Sequence, residues 1–449
     1  MIKYKLILVG MGLVFFLSWQ SVVAQAQIVF WTFEVDERSL EVQKDLASRF
    51  EAKNPDIKVE IVPVDRSLLV EKTITAAATD KLPHVIFHPL DYTFRLVREN
   101  IFDSRAASEL INELGENSFA DGALSLVKYE DEFAAIPVYG WSQILLYRKD
   151  LLEKTGLSIP KRWEDIKKAA QALHNPPLLW GFQVPTSPRD IYTQQVLEGF
   201  SLSNSARLID KITGEVNLNT PEFIATLRFY KELSRFTPLG DVNQVHTRID
   251  YLAGRSAMTL WSSFILPDLC ALSDKRMLLV EELNKKTGFV GAIKAKDAEA
   301  QFGQVSYLGI TKEVDKDAVT KDAVGKWIKF ILDENYIFWL SVNPEGKLPV
   351  RRGTEAEVGK FAEEWKGLLL GEDGRKISDL YDADSLNSIL AGVENFDRWG
   401  FATGKGFLMS RIYQTKMIPI VLKRYLIQDI FTAEMAASLM NDLVRSLEE

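Results

Sequence analysis

Cysteine and histidine are almost missing: 449 residues hold one Cys and four His. Cys270 has no second thiol for an intrachain disulfide, and so few soft ligands leave no zinc-binding spacing, so neither a metal nor any other cofactor is expected. Positive charge is also short, with 54 Lys and Arg against 62 Asp and Glu and a net charge of −8. Phosphate backbones want a basic surface, which removes nucleic acid as an expected partner. Enzyme signatures are missing too: there is no G-x-S-x-G elbow, no H-E-x-x-H and no G-x-x-x-x-G-K-[ST] loop. Adjacent acids such as Glu281-Glu282 and Glu363-Glu364 cannot face each other on a helix and read as solvated surface.

Long hydrophobic runs are scarce as well. Leu6 to Leu17 is apolar apart from Gly10 and Gly12, but these twelve residues fall short of a hydrocarbon core roughly 30 Å thick. Lys3 and Lys5 precede the run and Ala24-Gln25-Ala26 follows it, so residues 1–26 read as an export signal, cut after Ala26 or, as second choice, after Ala24. Loss of the two lysines leaves a net charge of −10, and no Cys near the cut offers a lipid attachment point. The expected product is free in the periplasm. The stretch from Trp327 to Leu340 is interrupted by Lys329, Asp333, Glu334 and Asn335 and is not a membrane span.

What is present is alternation of strand and helix. Ile28 to Trp31 suits a buried parallel strand; Val42, Leu46 and Phe50 recur at helical spacing until Asn54-Pro55. Ile57, Val59 and Ile61 alternate as a strand, Leu68 to Ala78 is helical in composition, and Pro83 to Phe87 is a third strand. Such a run predicts a parallel α/β unit whose ligands sit beyond the carboxyl ends of its strands. Thr32, Phe33 and Glu34 follow the first strand, and His88 to Asp91 follow the third. A second α/β region begins near Pro137, with a strand over Ile144–Tyr147, a helix over Trp163–Leu173, and a helix capped by Thr220 with Pro221 at its first position. Ala257 to Leu260 reads as a further strand, with Trp261 opening the loop beyond it, and the tail from Thr415 is helix-rich.

The order of these segments resembles the family 1 extracellular solute-binding proteins of ABC importers, the group that includes maltose-binding protein. Leu82-Pro83-His84-Val85-Ile86-Phe87 is similar to that family's third strand, with His84 where Asp is usual. Ile136 to Gly140, Leu146 to Leu151 and Pro160 to Asp165 resemble its hinge crossing and the elements beyond. Ala253 to Met258 and Asn343 to Arg351 resemble two later segments. The resemblance implies two discontinuous α/β lobes joined by hinge strands, the type II arrangement of periplasmic binding proteins. The first would span 27–138 and 306–345, the second 139–305 and 346–449.

It also implies a non-enzymatic monomer that captures a carbohydrate or polyol and delivers it to the permease subunits of an ABC transporter. An exported glycoside-active enzyme, or a protein that reports to a sensor, is the alternative. Sugar sites combine flat aromatic faces with groups that hydrogen-bond hydroxyls. On that basis Trp261, Trp141 with Tyr139, Asp91, His88 and Arg351 are expected at the ligand, along with Thr32, Phe33 and Glu34. Arg189 and Tyr192 follow the Pro185–Pro188 loop, and Trp399 and Tyr413 come from a stretch where the resemblance is weak. Each has a competing role: Trp261 as a core residue, Asp91 as a helix cap, Arg351 as a surface cation.

Overall fold

The computed structural model describes residues 26–448 apart from 211–212, 274–277, 297, 372–373, 402 and 429. The expected export signal, save Ala26, lies outside the described residues.

The chain opens with β1 (Ala26–Thr32), α1 (Glu37–Lys53), β2 (Ile57–Pro63), α2 (Leu69–Ala78), β3 (Val85–Pro89) and α3 (Leu90–Arg98). Helix α1 starts where the Asp36 carboxylate accepts the Ser39 amide at 3.0 Å, and stops at Asn54, whose side chain donates to the Phe50 carbonyl at 3.0 Å. Its buried side carries Leu46, Ala47 and Phe50, one helical turn apart. Strand β1 lies parallel to both β2 and β3, as the alternation predicts. Beneath them, Phe30 and Phe50 pack on Trp327 with ring centroids 6.1 and 5.2 Å apart.

The remaining elements that place the site are β4 (Ile136–Arg148), α4 (Trp163–Leu173), α5 (Ile191–Ser203), α6 (Pro221–Ser234) and β5 (Met258–Ser262). They are followed by β6 (Thr287–Val290), β7 (Ile293–Lys294), β8 (Glu299–Ile310) and α7 (Ala318–Lys329). Last come β9 (Leu348–Pro349), β10 (Phe396–Asp397) and α8 (Gly406–Thr415). Among the described residues no helix is long and apolar enough to cross a membrane.

Among the described residues ten strands form one curled sheet, in the order β9-β4-β8-β3-β1-β2, with β5 and β6 added to β4 and β7 and β10 added to β8. Strands β4 and β8 are long enough to serve two strand groups each. The first part of β4 pairs with β8 and β9, and its last residues pair with β5 and β6. The last part of β8 pairs with β3, and its first residues pair with β7 and β10. They run side by side through Ser142 and Gly303. Phe396 lies on this crossing: a Cβ on Gly303 would stand 2.2 Å from its ring, and one on Gly140 2.7 Å, so only glycine leaves it room.

Two expectations shift. The third strand does not end at Phe87 but continues through His88 and Pro89, because Tyr307 and Ser306 of β8 pair with them. Trp261 is not past its strand: it lies within β5, opposite Ile144 of β4.

Candidate functional site: a cavity between the two strand groups

A cavity of about 590 Å³ opens where the crossing strands leave one group for the other, within the size range of small-molecule sites. Arg66 and Val70 around the start of α2, with Asp91, Tyr92 and Arg95 of α3, form one wall. Ile191 and Gln195 of α5, with Ser410, Arg411 and Tyr413 of α8, form the other. Trp141 of β4 and Gln304 of β8 supply the floor. The walls meet at one rim, where the guanidinium groups of Arg95 and Arg98 each sit 5.7 Å from the Phe407 ring.

A polar chain crosses this floor. Arg66 donates to Asp91 at 2.8 Å, and the Gln304 amide donates to the same Asp91 oxygen at 3.2 Å. On its other side Gln304 accepts from Arg398. Arg398 donates to Glu198 at 2.9 Å and to the Tyr413 hydroxyl at 3.0 Å, and lies over the Phe302 ring at 4.2 Å. Glu198 also accepts the Trp399 amide at 2.7 Å and the Tyr413 hydroxyl. Burial works against the Arg398 charge, but Tyr413 and Glu198 outweigh it and raise its pKa; burial pushes the Glu198 carboxyl up in turn. A buried ion pair with every arm occupied fixes geometry more than it adds stability.

Three of the expected site residues come together here: Asp91, Trp141 and Tyr413 all line the cavity. The others take different places. Thr32 is buried, its hydroxyl accepting the Glu34 amide at 3.1 Å, and Phe33 packs on Phe87 at 4.9 Å. Glu34 and Tyr139 belong to a buried knot. The Glu34 carboxylate accepts from the Tyr139 hydroxyl at 2.7 Å, the Trp339 indole at 3.1 Å and the Gln43 amide at 2.6 Å, and the Lys347 ammonium lies 2.7 Å from it. Burial first, then the Glu34 carboxylate, push the Tyr139 phenol well above its ordinary value, so it stays a donor.

His88 is fully buried between Phe102 and Tyr307, with Nδ1 3.0 Å from the Pro89 carbonyl. Trp261 is 4% exposed and edge-on to Tyr192, whose hydroxyl donates to the Leu260 carbonyl. Arg351 is not a surface cation. It is enclosed, donating to Asp333 at 2.8 Å, Ser118 at 3.0 Å and the Leu114 carbonyl at 3.1 Å. The Trp399 indole donates to the Ala206 carbonyl at 3.0 Å inside the core, and the carbonyl of exposed Arg189 accepts from Lys416.

Sequence reasoning passed over Arg66, Gln195, Gln304, Arg398 and Arg411, and also Phe264. That last ring is 46% exposed and stands edge-on to Trp141 at 6.1 Å. A larger depression of about 710 Å³ is walled only by residues 147–161, 288–299 and 382–395.

The sequence model of the family described as bacterial extracellular solute-binding protein matches residues 37–231. YcjN of Escherichia coli (strain K12), whose name carries the words ABC transporter periplasmic-binding protein, is 30% identical over 395 residues, covering 86% of this chain and 87% of its own. The fold is that of the sugar-binding protein MalE from Xanthomonas citri, with a TM-score of 0.73 at 18% identity and 94% and 97% of the two chains covered. It is also that of the cyclic alpha-maltosyl-1,6-maltose binding protein from Arthrobacter globiformis, with a TM-score of 0.70 at 14% identity and 94% and 98% covered. These relatives are binding proteins and not enzymes. By the identity to YcjN and the length over which it runs, the chain belongs to the bacterial extracellular solute-binding protein family.

Proposed function

We propose that the chain is a monomeric periplasmic protein that holds a carbohydrate-like solute in the cavity between its strand groups and hands it to the permease of an ABC transporter. The observation that carries this reading is the composition of the cavity walls. α2 and α3 face α5 and α8, so a ligand touching both walls favours the arrangement in which they are close. The lobes are taken as 27–138 with 306–345, and 139–305 with 346–449. The chemistry suits hydroxyl-rich rings. Trp141 offers an aromatic face, with Phe264 edge-on beside it outside the lining, and Asp91, Gln195 and Gln304 offer hydrogen-bonding arms. Two structural relatives carry sugar or maltose in their names, which supports the same ligand class.

Asp91 is the residue on which this rests. Asp91→Ala should weaken binding of the best carbohydrate or polyol from a titrated panel by roughly tenfold or more, since it removes a charged acceptor from the cavity wall. Isothermal titration that finds a binding sugar unaffected by the substitution would place the ligand elsewhere. A panel without any binder would count against the carbohydrate class itself.

Removal of the export signal follows from the same reading, and β1 bears on where. The Ala26 amide donates to the Asp56 carbonyl at 3.0 Å, and Ala26 is buried opposite Ile57. A cut after Ala26 would put a charged terminus on Gln27 and strip β1 of its first pair. A cut after Ala24 leaves the strand whole. N-terminal sequencing of periplasmic protein should therefore begin at Gln25; a start at Gln27 would overturn this choice.

A further inference from the structure

The mature chain carries an excess of acid, yet its cavity carries the opposite sign. Four guanidinium groups line it, those of Arg66, Arg95, Arg398 and Arg411, against the single carboxylate of Asp91. Two of the four are already balanced. Arg66 is paired with Asp91 at 2.8 Å, and Arg398 is paired with the buried Glu198 at 2.9 Å. The other two make no ion pair among the described residues, although Asp91 lies one helical turn before Arg95 on α3. Arg95 rests over the Phe407 ring, and Arg411 donates to the Leu447 carbonyl, an uncharged acceptor. Both are half-buried, so water screens them less than it would on an open surface.

Two cations without an ion-pair partner sit on α3 and α8, helices that already pack on each other, and their mutual repulsion is a cost carried by the closed cavity. A ligand with a negative group between them would remove that cost and add charge-assisted hydrogen bonds. A neutral sugar would leave the repulsion in place. Neutral groups occupy the rest of the polar lining: Gln195, Gln304, Ser410 and Gln414, with the Tyr92 and Tyr413 hydroxyls and the Trp141 indole.

Resting on the carbohydrate reading above, we propose that the solute is an acidic carbohydrate: a sugar or polyol scaffold bearing a carboxylate or a phosphate, held by Arg95 from α3 and Arg411 from α8. Its hydroxyls would face Asp91 and the glutamines, its ring Trp141. The anion thus bridges the two walls, and charge selects the ligand while the floor recognises the scaffold.

The test pairs acids with their neutral parents on the full mature chain. D-galacturonate, D-glucuronate and D-gluconate carry the carboxylate; glucose 6-phosphate carries the phosphate. D-galactose, D-glucose and sorbitol are the parents. At low salt one acid should bind roughly tenfold to a hundredfold more tightly than its parent, and the carboxylate and phosphate arms show which anion fits. The advantage should shrink as sodium chloride rises from 20 to 300 mM. Arg411→Gln and Arg95→Gln should each reduce the ratio of acid to parent affinity, with Arg411→Lys retaining part of it; a melting curve for each variant excludes misfolding. Parents that bind as tightly as their acids would overturn the charge assignment while leaving the carbohydrate reading standing. So would a ratio untouched by both substitutions. If neither acids nor parents bind, both readings fall together.

Discussion

Trp261 is 4% exposed and closed in by Tyr192, whereas Phe264, three residues further on, is 46% exposed and leans on Trp141. The first fills space; the second is available. Trp261→Ala should therefore cost about 3–5 kcal/mol of stability through the cavity it leaves. Phe264→Ala should leave the melting temperature nearly unchanged and weaken the best-binding sugar by roughly threefold to tenfold, the value of one aromatic contact. Melting curves and calorimetric titrations on both variants check this, and a stable Trp261→Ala protein without affinity would reverse the assignment. The sequence could not separate the two. Both are large rings near the end of an apolar run, and what distinguishes them is that Trp261 sits in the ladder opposite Ile144. Arg398 was hidden for a different reason: a lone Arg beside a Trp carries no pattern, and its partners Glu198 and Gln304 lie 200 and 94 positions away.

At the scale of the element, strand β3 shows both what alternation reveals and where it stops. Its existence and its parallel place beside β1 were legible from Val85-Ile86-Phe87, although it starts at Val85 and not at Pro83; α1 was legible from its fourfold spacing and α6 from Thr220-Pro221. The end of β3 was not, because pairing of His88 and Pro89 depends on β8, more than two hundred residues later. The consequence is a histidine buried in a sheet. Burial pushes the His88 imidazole down to about 4 from 6.5. In the unfolded chain it takes up a proton near 6.5, which the native state cannot accept until about 4. Stability is thus complete above pH 6.5 and declines as pH falls towards 4, by about 3 kcal/mol over the whole window. His88→Phe keeps a ring between Phe102 and Tyr307 and removes the proton. Urea denaturation at pH 7 and pH 4.5 should show the variant losing less stability than the parent; equal losses would mean that other groups control the acid response.

For the whole molecule, the strand and helix alternation was enough to place it among α/β proteins, whereas the proposed division into discontinuous lobes comes from the resemblance, since no local pattern carries it. The long strands β4 and β8 have a consequence for the order in which the chain can fold. β3 is flanked by β1 on one side and by Ser306 to Ile310 of β8 on the other. As the chain is made, that second edge stays open until more than three hundred residues exist. A fragment ending before Glu299 has the first three strands but lacks the one that closes β3 and carries the crossing. An incomplete sheet with an exposed edge is poorly stable by itself. Under the proposed export, that delay keeps the chain loose enough to be moved, because its final strand pairings cannot form until most of it has been synthesised.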